Sequence, residues 1–80
     1  MKTEQTTALE AVNFGIKQNA LNDVNVEKCS TLLQKSQDVN QFQIELVNLL
    51  KNPTELQERQ LRIFAETTYN RYQELKHQTV

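Results

Sequence analysis

Tryptophan is absent from this chain of 80 residues, and glycine, proline, cysteine, histidine and methionine each occur once. A single cysteine, Cys29, excludes an intrachain disulfide and a cysteine-based zinc cluster, and suits a reducing compartment, so a cytoplasmic protein is expected. The only histidine, His77, has no second histidine or local carboxylate pattern to make a metal helix, and its place near the chain end predicts a frayed, solvated side chain. Cys29 and His77 lie far apart in sequence, which gives a thiol nucleophile no evident base. With a single glycine there is no phosphate-cradling loop, and with a single proline there is too little turn chemistry for a meander of short strands. No segment approaches the roughly 18 consecutive apolar residues of a membrane span, and Met1 to Glu10 lacks the apolar run of a secretory signal. Nine basic residues against ten acidic ones give a net charge of -1, with no cation excess to neutralise a phosphate backbone, which argues against direct nucleic-acid binding. No catalysis, small-molecule substrate, cofactor or metal is expected.

Apolar residues that recur at spacings of three and four make the chain all-α, a single small domain over residues 1–80 with residues 1–6 frayed. A domain this small buries only about 60% of the surface that its unfolded chain exposes, so oligomerisation is a natural supplement to its core. Ten glutamines and eight asparagines, dispersed rather than in tracts, give the helices a polar, weakly charged exterior.

Thr7-Ala8-Leu9-Glu10 has the form of a capping box for a first helix, whose apolar stripe is Leu9, Val12, Ile16 and Ala20. Phe14 and Leu21 fall off that stripe, and Gly15 costs the helix about 1 kcal/mol relative to alanine unless a neighbour approaches closely. Asn22-Asp23-Val24-Asn25 breaks the period and supplies caps for a second helix running to about Lys51. That helix carries two seams: Leu32, Val39, Phe42, Leu46, Leu49 and Leu50 on one side, and Val26, Cys29, Leu33, Ile44 and Val47 on another. Ser36-Gln37-Asp38 offers a fresh start inside it. Asn52-Pro53-Thr54-Glu55 starts a third helix, with Asn52 as cap and Pro53 in the first turn, running to about His77. Its buried face is Leu61, Phe64, Thr68, Tyr72 and Leu75, flanked by Leu56 and Ile63, and its outer side pairs Glu55 with Arg59 and Glu58 with Arg62. The expected arrangement is three helices, with a long antiparallel hairpin turning at Asn52-Pro53 and the first helix across it.

Phe64, Tyr69 and Tyr72 are expected in the core rather than as a base-stacking platform, and Cys29 as a small hydrophobe. Phe14 and Leu21, off the main stripe of the first helix, either complete a wide buried face or mark a partner surface, and with Ile44 and Val47 of the second seam they are the candidate partner-binding residues of a chain that lacks any catalytic constellation. The function expected is a non-catalytic interaction or assembly module that acts on a protein partner, a homodimer being one form of it.

Lys51-Asn52-Pro53-Thr54-Glu55-Leu56 with Gln60 resembles the Pro-x-Glu-Leu-x-x-x-Gln helix start of phasins, with Asn25-Val26-Glu27 and Ser36-Gln37 upstream of similar character. The resemblance covers about half of the chain and implies binding to an apolar granule surface through the faces holding Phe42, Leu46 and Phe64. Glu55-Leu56, Leu61, Phe64, Arg71 and Glu74-Leu75 are also similar in spacing to one helix of the Hha family, which implies partnership with a nucleoid-associated protein. Here Tyr69-Asn70 stands where that family has Asp-His, and its Trp-containing helix has no counterpart.

Overall fold

The computed structural model describes residues 3–19, 21, 24–50 and 52–78, which form four helices and no strand. These are α1 (Glu4–Asn19), α2 (Val26–Lys35), α3 (Val39–Asn48) and α4 (Glu55–Gln78). The fold is all-α, as the periodicity implies, but with four helices instead of three. The long second helix divides where Ser36-Gln37-Asp38 offers a new start. Ser36 closes α2 through its N–H and its hydroxyl, the latter donating to Leu32 O at 2.7 Å. Asp38 opens α3 by accepting from the Gln41 N–H at 2.8 Å.

Two other helix starts differ from expectation. Thr3, not Thr7, caps α1 by accepting from the Thr6 N–H at 3.1 Å, so residues 4–6 are helical rather than frayed. Thr7 lies inside the helix, its hydroxyl donating to Thr3 O at 3.1 Å. For α4 the cap is Thr54, not Asn52. Thr54 Oγ1 accepts from the Gln57 N–H at 3.1 Å, and Gln57 Oε1 accepts from the Thr54 N–H at 2.8 Å. This reciprocal box satisfies two donors where an Asn52 cap would satisfy one. Asn52 instead adopts φ 53°, a left-handed conformation that asparagine tolerates better than most residues, and so turns the corner between α3 and α4. At the start of α2, Asn25 caps by accepting from the Lys28 N–H at 3.0 Å. The expectations placed on Met1, Lys2, Ala20, Asn22, Asp23 and Lys51 lie outside the described residues.

Long α4 organises the molecule: α1 packs along it, α3 folds back against it, and α2 rests mainly on α1. Tyr69 of α4 donates its hydroxyl to Gln37 O at 3.1 Å, fixing the start of α3 beside the C-terminal half of α4. The hairpin at Asn52-Pro53 therefore exists, but only α3 forms its first arm. The core joins Ala8, Ala11 and Val12 of α1, Cys29 and Leu33 of α2, Phe42 and Leu46 of α3, and Leu61, Phe64, Ala65 and Tyr72 of α4. On α1 the buried face is Thr7, Ala8, Ala11, Val12 and Gly15, with Leu9 and Ile16 only half-buried. The expected stripe is thus rotated towards the small residues, which let α1 come close to α4.

Candidate functional site

Helix α3 turns Phe42 and Leu46 into the core, which leaves Gln43, Ile44, Val47 and Asn48 around its flank. Helix α4 turns Leu61, Phe64, Ala65, Thr68 and Tyr72 inward. At 3.6 residues per turn, this places Glu55, Glu58, Arg59 and Arg62 together on one side, within an arc of about 100°. The two sets line an open groove of about 410 Å³ between α3 and α4. Ligand pockets of this size are usually lined mainly by apolar groups that enclose the ligand, whereas this groove is shallow and edged with four charged side chains.

The expected ion pairs Glu55–Arg59 and Glu58–Arg62 are not closed; the pair formed on α4 among the described residues is Arg71 with Glu74, at 3.2 Å. Exposed pairs gain little in water and lose side-chain freedom, so open geometry is physically unremarkable for them. Leu56 and Ile63, expected to flank the buried face, are instead 63% and 50% exposed, because the core needs only the opposite arc of α4. Ile44 is 51% exposed, and Leu49, placed on a core seam by its spacing, is also exposed. From Thr54 through Gln60 every residue of α4 and its cap is exposed, so the first turns of this helix bury no side chain, and Glu55, Glu58 and Arg59 only edge the groove against α3.

Phe14 and Leu21 lie elsewhere. Phe14 is half-buried, with the Arg71 guanidinium 4.9 Å from its ring centroid, beside a second hollow that includes Ile16 and Leu75. Leu21 is packed against the core, its N–H donating to Ile16 O at 3.1 Å. Ile44 and Val47 face the N-terminal part of α4, and Phe14 faces Arg71, twelve residues or about 18 Å further along it. The four candidate residues therefore do not form one surface. Leu56 and Ile63 stand about 80–100° round the helix from Phe64, the nearest buried residue, so their spacing already turns them away from the core. That spacing and their neighbours Glu55, Arg59 and Arg62 were the available signal.

Cys29 is buried, and desolvation pushes its thiol up to about 11, which opposes thiolate formation. His77 is exposed in the last turn of α4. Phe64 and Tyr72 are buried, while Tyr69 is half-buried; burial, then the nearby Glu4 charge, then Tyr69 raise the Tyr72 phenol above its ordinary value. Phe42, Leu46 and Phe64 are all buried, so a granule surface would reach them only if the helices separated. Among the described residues no three His, Cys, Asp or Glu side chains converge as metal ligands, and no helix is long and apolar enough to cross a membrane. Comparison with protein-family models, with curated proteins and with solved structures finds no match to this chain.

Proposed function

We propose that this chain is a non-catalytic helical interaction module of the cytoplasm that presents its α3–α4 face to a protein partner. One observation supports the reading: the first turns of α4 are helical with every side chain exposed, Ile44 stands half-exposed in the groove beside them, and Leu56 and Ile63 stand exposed on the side of α4 away from the core. Helices in small proteins draw most of their stability from tertiary packing, and two lone turns held by a cap are marginal in water. A partner helix or surface laid on this face supplies the missing contacts. A row that is acidic at Glu55 and Glu58 and basic at Arg59 and Arg62 suits a protein surface of mixed charge better than a phosphate backbone or a bare apolar granule.

Ile44→Asp with Ile63→Asp tests the reading. Both side chains are half in solvent, so at a dilution where the wild type has no bound partner helicity and the urea midpoint should stay close to wild type, within about 0.5 kcal/mol per substitution. Crosslinking in the native cell, read by mass, should show a fixed-stoichiometry protein adduct, another copy of the chain included, that the double variant loses. No adduct with any protein, or an adduct indifferent to both substitutions, rejects it.

A further inference from the structure

We infer that the occupant of the α3–α4 face is a second copy of this chain, its α4 laid antiparallel on the first about a two-fold axis passing between Glu58 and Arg59. The inference rests on the interaction-module reading and specifies its partner.

Charge order is the first support. Along one side of α4 the sequence runs Glu55, Glu58, Arg59, Arg62, equal in spacing and opposite in sign about the midpoint of Glu58 and Arg59. In a two-fold contact, residue i of one copy meets j of the other and j meets i. Antiparallel packing then sets Glu55 against Arg62 twice and Glu58 against Arg59 twice, four opposed pairs in all, whereas a parallel alignment in register sets like charge on like. Within the chain the same side chains leave their i,i+4 pairs open. The hollow beside Phe14 has no such symmetry, because its Arg71 is already engaged by Phe14 and Glu74.

The apolar groups fit the same axis. It lays α4 of each copy against the groove edged by Ile44 and Val47, with Leu56 and Ile63, about 90° round the helix from the charged row, at the margin of the contact. Charge sets direction and register, and Ile44 and Val47 supply the apolar contact.

Light scattering and circular dichroism of the full chain over a dilution series, with two charge-reversed variants, test the inference. Glu55→Arg with Glu58→Arg makes the face wholly cationic; Arg59→Glu with Arg62→Glu makes it wholly anionic and also suits the N-terminal end of the helix dipole. The wild type should be a dimer that dissociates on dilution. The anionic variant should stay helical and associate about a hundredfold more weakly. Mixing it with the cationic variant should restore a 1:1 dimer. Variants that dimerise like wild type, or a mixture that stays monomeric while both variants remain helical, overturn the inference. A wild type that stays monomeric yet forms a protein adduct in the cell, lost with Ile44→Asp and Ile63→Asp, overturns the dimer and leaves the interaction reading standing. Absence of both removes both.

Discussion

A Cβ on Gly15 would overlap Thr68 Oγ1 and press on the Phe64 ring at 3.0 Å, so this glycine sets how closely α1 approaches α4. The contest is between helix propensity, which favours alanine by about 1 kcal/mol, and overpacking, which costs about 1–3 kcal/mol. Thr68 is stiff at χ1 and fully buried, so overpacking wins. Gly15→Ala should lower stability by about 1 kcal/mol in urea denaturation. Thr68 Oγ1 is also buried with no hydrogen-bond partner, so Gly15→Ala combined with Thr68→Ala fills the vacated space with a methyl and removes an unsatisfied oxygen. The double variant should recover at least wild-type stability, and strict additivity of the two changes would refute the steric account. Cys29 yields a pH prediction. The folded state keeps the thiol proton to about pH 11, while an unfolded thiol loses it near 9, so the unfolded state binds fewer protons between those values. The contribution of Cys29 to stability should be independent of pH below about 9 and fall as pH rises from about 9 to about 11. Urea midpoints of wild type and Cys29→Ala should converge across that window. The sequence marked Gly15 as costly and Cys29 as a small hydrophobe; that Gly15 faces Thr68 was not legible, because the pairing depends on how two distant helices cross.

The helix boundaries were decided by competition among neighbouring cap residues. Thr3 competes with Thr7, and Asn52 with Thr54, each able to accept a backbone N–H. Thr54 prevails because Gln57 returns a second hydrogen bond, and because the corner requires Asn52 in the left-handed region, where it cannot also begin a helix. At Ser36-Gln37-Asp38 the sequence was more explicit, since a serine that closes one helix stands two residues before an aspartate that opens the next. Asp38→Ala should cost about 1 kcal/mol in a urea titration, because it removes the 2.8 Å bond to the Gln41 N–H. The same junction is tied to α4 through Tyr69, whose phenol meets the carbonyl of Gln37. That bond spans the hairpin, and no local pattern announces it.

A domain of 80 residues has about 4–12 kcal/mol of net stability, so a small interface matters as much as a small core. If two copies pair through α4, unfolding is coupled to dissociation and the midpoint of thermal unfolding rises with protein concentration. The anionic variant Arg59→Glu with Arg62→Glu should show a midpoint independent of concentration over the same range, measured by circular dichroism. Phe64→Ala, which empties the centre of the core, costs about 3–5 kcal/mol and should broaden or abolish the transition in either oligomeric state. Of the candidate site, Ile44 and Val47 could be read from their displacement off the main seam of the second helix. Phe14 and Leu21 could not be grouped correctly, since the ring of Phe14 is covered by Arg71 and Leu21 lies against the core.

Sequence alone determined that the chain is helical, that its helical run is interrupted at Asn52-Pro53, and that α4 opens acidic and turns basic at Arg59. These follow from local rules: spacing, cap chemistry and the backbone limits of proline. Whether Asn52 makes a corner or a kink was left to the tertiary structure. Tertiary structure alone decided which arc of each helix is buried. Spacing defines a stripe only to within a residue or two on either flank, and the rotation of a helix about its axis is set by what packs against it. On α1 the close approach to α4 selected the small residues. On α4 the position of α3 left Leu56, Ile63 and four charged side chains facing water.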